Sequence, residues 1–137
     1  MESFPERCIR GLSDKEDVTQ EGRVNSQALY PNFKPKTQRP DKAFETSINW
    51  EDDETVIAFT RKQREQSAYG VAALRLEAID YEIRASRAVG LLTYERQKLP
   101  SNQYHGNIVF AQEISQRFAK TLAAALATKA VIIPPSD

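Results

Sequence analysis

His105 is the one histidine of this 137-residue chain, and histidine is the side chain whose ordinary pKa lets its charge change close to neutral pH. It stands between Tyr104 and Gly106, where a loop carrying Pro100 and Asn102 is expected to hand over to a strand. A side chain at such a junction can face a cleft and do general acid-base work or orient a ligand, with Tyr104 and Asn107 as further ligand contacts. The plainer alternative is a histidine hydrogen-bonded to backbone that fixes the turn. Arg10 offers a planar fork of donors suited to phosphates, and Ser47 offers a hydroxyl. Cys8 shares a strand face with Arg10 by alternation, and a neighbouring cation lowers a thiol's pKa, but a small buried cysteine is the simpler expectation.

Other chemistries are excluded by what the chain lacks. A single cysteine and a single histidine rule out a multi-cysteine zinc site and an internal disulfide. Asp52 and Asp53 could serve as a metal pair. A helix's first turn accounts for them, so no metal is expected. The glycines at 11, 22, 70, 90 and 106 never cluster into a phosphate loop, and serine-elbow, histidine-glutamate and calcium-loop spacings are absent.

Nineteen Lys and Arg balance nineteen Asp and Glu, eight of each sign in residues 1–50 and eleven of each in 51–137. That balance leaves no net basic field of the kind a nucleic-acid partner would need, so none is expected. The acidic, proline-broken start is not a secretory signal, and no window holds the roughly 18 apolar residues of a membrane span, so a cytoplasmic protein without membrane contact is expected. The stretch 31–42 carries Pro31, Pro35 and Pro40 with Lys34, Lys36, Arg39 and Lys42. It reads as an extended surface loop, with phosphate or partner contact as its functional alternative.

The elements that would position these residues follow from periodicity. Strands are expected over Cys8–Leu12, Phe44–Ile48, Val71–Leu76, Val89–Tyr94, Asn107–Phe110 and Val131–Ile133, with an irregular extended segment over Val24–Tyr30. Asn49 suits a helix N-cap, Glu51 to Glu54 suit the first turn and Arg61 to Arg64 the last, which predicts a helix over 49–66. Ile114, Phe118, Leu122 and Leu126, with Ala119 and Ala125, predict a second helix over 111–129, and Ile79 and Ile83 a short one over 77–84. The whole, residues 1–137, is expected as one α+β domain: a single mixed, mainly antiparallel sheet packed by two main helices, with a short tail at 134–137.

Two resemblances enter on these residues. The segments Arg10-Gly11, Gly22 to Ala28, Ser47-Ile48-Asn49, Gly70-Val71-Ala72 and Tyr104 to Ile108 resemble small uncharacterised bacterial proteins of the accessory gene pool, the mobile-element and defence-island type. The order of an arginine strand, a serine strand with a helix after it, and later strands resembles ADP-ribosyltransferases of the arginine-serine-glutamate type. That resemblance implies Arg10 as a donor to NAD and Ser47 as the second motif. His105 stands where the catalytic glutamate belongs, and Glu113 lies too far on, inside the second predicted helix. A neutral imidazole supplies no negative charge there. Two functions follow. The first is a non-enzymatic interaction or accessory protein, with a protein partner or homo-oligomer and no cofactor, in a bacterial conflict or defence system. The alternative is an ADP-ribosyltransferase-like protein with a degenerate active site that binds NAD or transfers from it.

Overall fold

The computed structural model describes residues 3–33, 39–63 and 67–135. Alternating side chains build six strands: β1 (Arg7–Gly11), β2 (Phe44–Trp50), β3 (Val71–Arg75), β4 (Leu92–Arg96), β5 (His105–Phe110) and β6 (Val131–Ile133). They form one sheet in the order β4-β5-β2-β1-β3-β6. Every pairing is antiparallel, so the mixed character expected for the sheet is not found among the described residues. Three helices complete the α+β fold: α1 (Val56–Arg61), α2 (Leu76–Ala85) and α3 (Gln116–Lys129). None is long and apolar enough to cross a membrane.

The ladder decides which residues share a face. Cys8, Ile48, Trp50, Ala72, Leu74, Ile108 and Phe110 point into the larger core, against Ile79 of α2 and Ala119, Leu122, Ala123, Leu126 and Ala127 of α3. Ile9, Val71 and Ala73 point the other way and meet Val56 of α1. β3 is therefore covered on both sides, which explains why Val71-Ala72-Ala73-Leu74 is apolar without a break.

Local chemistry moves several boundaries from their expected places. Ser115 caps α3, its hydroxyl accepting from the Phe118 N–H at 3.0 Å, so this helix begins at Gln116 rather than 111. Glu113 lies in the turn before it, outside the helix. The helix expected over 49–66 is, among the described residues, only Val56–Arg61. Asn49 is no cap: it remains on β2, opposite Ile9 on one side and His105 on the other. The acids after it have other partners. Arg7 donates to both Glu51 carboxylate oxygens at 2.7 and 2.9 Å, and Arg96 to both of Asp52 at 2.9 and 2.7 Å. Two more ladder pairs and two bidentate ion pairs outweigh a dipole preference of about 0.3–1 kcal/mol. The segment expected to be extended at Val24–Tyr30 instead makes a 3-10 turn over Ser26–Ala28, which buries Ala28 and Leu29.

The central feature for function is where the sheet parts. β1 pairs with β3 over all five of its residues, but with β2 only at Cys8–Trp50 and Ile9–Asn49. β2 meanwhile keeps six pairs with β5. Beyond Ile9 the two central strands therefore diverge.

Candidate functional site

Arg10 is the first residue past the last β1–β2 pair, so its side chain meets a β2 backbone that has lost its strand partner. One guanidinium N–H donates to the Ser47 carbonyl at 2.6 Å, in place of the missing ladder bond. Burial pushes the Arg10 pKa down, opposed by the charge of Asp17. Among the described residues no carboxylate approaches Arg10 to ion-pair distance, although Arg7, Arg39, Arg75 and Arg96 all have such partners. A half-buried guanidinium with donors left over is an anion site in waiting.

The opening between the strands is a cleft of about 630 Å³, lined by Arg10, Ser47 and His105 together with Asn49, Gln63, Asn102 and Phe59. The antiparallel register accounts for Ser47, Asn49 and His105, which share one face across β2 and β5, whereas Arg10, level with Ala72 in the ladder, joins them only because β1 and β2 part there. The His105 Nδ1 lies 2.9 Å from the Gln97 carbonyl, which can only accept. Nδ1 therefore carries the hydrogen, and Nε2 of the neutral ring is left as an acceptor.

A carboxamide network fixes the cleft wall. Asn49 Nδ2 donates to Thr60 Oγ1 and to Gln63 Oε1, both at 2.9 Å, and its Oδ1 accepts from Asn102 Nδ2 at 2.8 Å. Asn102 Oδ1 in turn accepts from the Tyr104 N–H at 3.0 Å. One buried side chain thus ties α1 to the loop that precedes β5. Asn49, Asn102, Gln63 and Phe59 are not among the site residues expected from the sequence. The signal for Asn49 was present: Glu45, Ser47 and Asn49 alternate as polar residues along a strand that is central in the sheet.

The remaining expected site residues are not brought to the cleft. Tyr104 packs its ring edge-on against Phe59, 5.2 Å between centroids, and is not among the lining residues. Asn107 is fully buried, donating to Glu95 at 2.7 Å and Gln97 at 2.9 Å. Of the basic loop, Lys34 and Lys36 lie outside the described residues. Arg39 is taken up by acids, at 2.9 Å from Glu95, 3.7 Å from Glu45 and 3.8 Å from Asp41. Burial works against its charge, but the Glu95 hydrogen bond and the three acids raise its pKa overall. Lys42 is exposed, at a positive φ of 66° in the turn that returns to β2. Cys8 is buried in the core, so no reactive thiol faces Arg10.

A second, larger cleft of about 700 Å³ lies beside Arg7, Glu51, Asp52 and Arg96. Its bidentate pairs already neutralise one another, which leaves less for a ligand to gain than the unpaired Arg10 offers. Comparison with protein-family models, with curated proteins and with solved structures gave no match for this chain.

Proposed function

We propose that the cleft between the diverging strands binds a dinucleotide of the NAD class, as a protein with a degenerate ADP-ribosyltransferase-like site. The observation that carries this reading is the Arg10 guanidinium, partly buried and without a carboxylate partner among the described residues, in one cleft with Ser47 and His105. Arg10 would hold a phosphate oxygen with the donors that Ser47 leaves over. The Asn49 and Asn102 network holds the wall still, and the half-buried Phe59 offers apolar surface for a ring. The resemblance to arginine-serine-glutamate transferases supplies the class of ligand. His105 in place of a glutamate argues for binding rather than for the usual transfer, because no fixed negative charge stands at that position.

Calorimetry with NAD, ADP-ribose and inorganic pyrophosphate tests it. Binding is expected for all three, with Arg10→Ala weakening each about 10- to 100-fold, the worth of a charge-assisted hydrogen bond. No heat from any of them overturns the reading. The interaction-protein alternative has one observation in its favour: Val131, on the edge strand β6, is 63% exposed. Light scattering that shows a dimer dissociated by Val131→Lys would favour it, and a monomer at all concentrations would count against it.

A further inference from the structure

Beside the cleft, on the face of the sheet that carries Ser47 and His105, two buried oxygens lack hydrogen-bond partners among the described residues: Glu45 Oε2 and Asn107 Oδ1. The Asn107 case is not a misplaced amide. Its Nδ2 donates to Glu95 Oε2 and to Gln97 Oε1, and turning the group over would set Oδ1 at 2.7 Å from the Glu95 carboxylate, which can only accept. Both orphans are acceptors, so neither can satisfy the other while Glu45 is ionised. A buried acceptor left unpaired is costly.

The charge balance points the same way. Arg39 from the loop is the cation of this cluster, and it serves Glu95 of β4 at 2.9 Å, Glu45 of β2 at 3.7 Å and Asp41 at 3.8 Å. Its short hydrogen bond goes to Glu95. His105 of β5, in its protonated form, also acts on Glu45, favouring its charged form. Burial of Glu45 and repulsion from Glu95 and Asp41 oppose that, and the net effect is a raised pKa, burial being the largest cause. The register pairs Glu45 with Val109 and Ser47 with Asn107, which makes Glu45 and Asn107 diagonal neighbours on one face, within reach of a long side chain.

We propose that Glu45 is a protonated carboxylic acid in the folded protein, its O–H donated to Asn107 Oδ1, and that this proton sets the charge beside the cleft. One hydrogen satisfies both orphan oxygens and leaves Arg39 to Glu95. Ser47 is two residues from Glu45 along β2, about 7 Å. When Glu45 ionises, a negative charge arises beside the anion site, two residues along β2 from Ser47 and opposite in effect to Arg10. The consequence for ligand affinity rests on the binding reading above; the proton assignment does not.

Carbon-13 NMR of the Glu45 carboxyl group in the intact protein reads the proton directly. A titration clearly above the ordinary glutamate range is expected. A titration at or below that range overturns the assignment and leaves a water between the two oxygens. Glu45→Gln, whose amide donates as the acid does, is expected to melt like the wild type at acid pH and above it at higher pH. For the wild type, the stabilising form is the protonated one, so its contribution is complete below the ordinary value and lost as pH rises through the raised one. Equal melting temperatures throughout count against the proposal. NAD keeps its pyrophosphate charge over this range. Its affinity for the wild type is expected to fall about twofold relative to Glu45→Gln on ionisation, the effect of one unit charge roughly 10 Å away in a water-like medium. A raised Glu45 titration with no NAD binding at any pH removes the proposed function and leaves the proton where it is assigned.

Discussion

Burial raises the Cys8 thiol to about 12, and a backbone hydrogen bond, the smaller cause, pulls the other way. The thiolate is the reactive form, so Cys8 is expected to ignore a thiol reagent such as Ellman's at pH 8 until denaturant is added. Prompt reaction in the native protein would mean that β1 opens to solvent. Tyr94 is also pushed up to about 12, first by burial and then by the hydrogen bond its hydroxyl donates to Asp80 at 2.8 Å. The neutral phenol is the form the fold prefers. Its stabilisation is therefore complete below the ordinary value of 10 and is lost as pH rises through about 12. Tyr94→Phe is expected to melt below the wild type at pH 8, with the gap closing toward pH 12. A gap that stays constant across that range would show that the Asp80 bond does not depend on the phenol's proton.

Between residues and elements, the decisive link is the Asn102 side chain, which joins the loop before β5 to Asn49 and, through it, to Thr60 and Gln63 around α1. Asn102→Ala leaves buried partners unpaired and is expected to cost about 1–3 kcal/mol in denaturant unfolding. If Arg10 holds the ligand, NAD affinity should fall with it, because the cleft wall loosens while Arg10 is untouched. Gly106 is a second such point. A Cβ there would collide with the Trp50 indole and the Glu95 carbonyl, the two partners of a 2.9 Å hydrogen bond that passes directly over it. Gly106→Ala is expected to break that bond and cost about 1–3 kcal/mol. These contacts mark the limit of what the chain betrays on its own. The apolar run of β3 and the alanine stripe of α3 are local patterns, and both were legible. Asn49 was misread because its neighbours imitate a helix start, and only long-range partners, Arg7 for Glu51 and Arg96 for Asp52, hold that segment in strand and turn. Arg10, Ser47 and His105 were legible as types of residue. Their convergence was not, since it depends on β1 and β2 parting after two pairs.

At the scale of the molecule, the sheet has unequal sides. One face rests on a large core with α2 and α3, including the fully buried Leu122 and Leu126. The other is covered by a helix of six residues whose Val56 packs on Ile9, Val71 and Ala73, and the cleft opens beside it. Apolar burial, worth about 1.5–3 kcal/mol per large side chain, is therefore concentrated on the face away from the cleft. A helix of that length has no stability of its own and holds only by packing. The segment around α1 should then open at lower free energy than the strands beneath it. In native-state hydrogen exchange, α1 amides are expected to exchange before those of β1, β3 and β5. Leu126→Ala should lower protection everywhere and reduce Tm by roughly 5–15 °C. Val56→Ala, costing about 2 kcal/mol, should strip protection mainly from α1 and weaken binding in the cleft. Uniform loss of protection in both variants would mean that the two faces unfold as one unit, and the cleft would then have no softer wall through which a ligand enters.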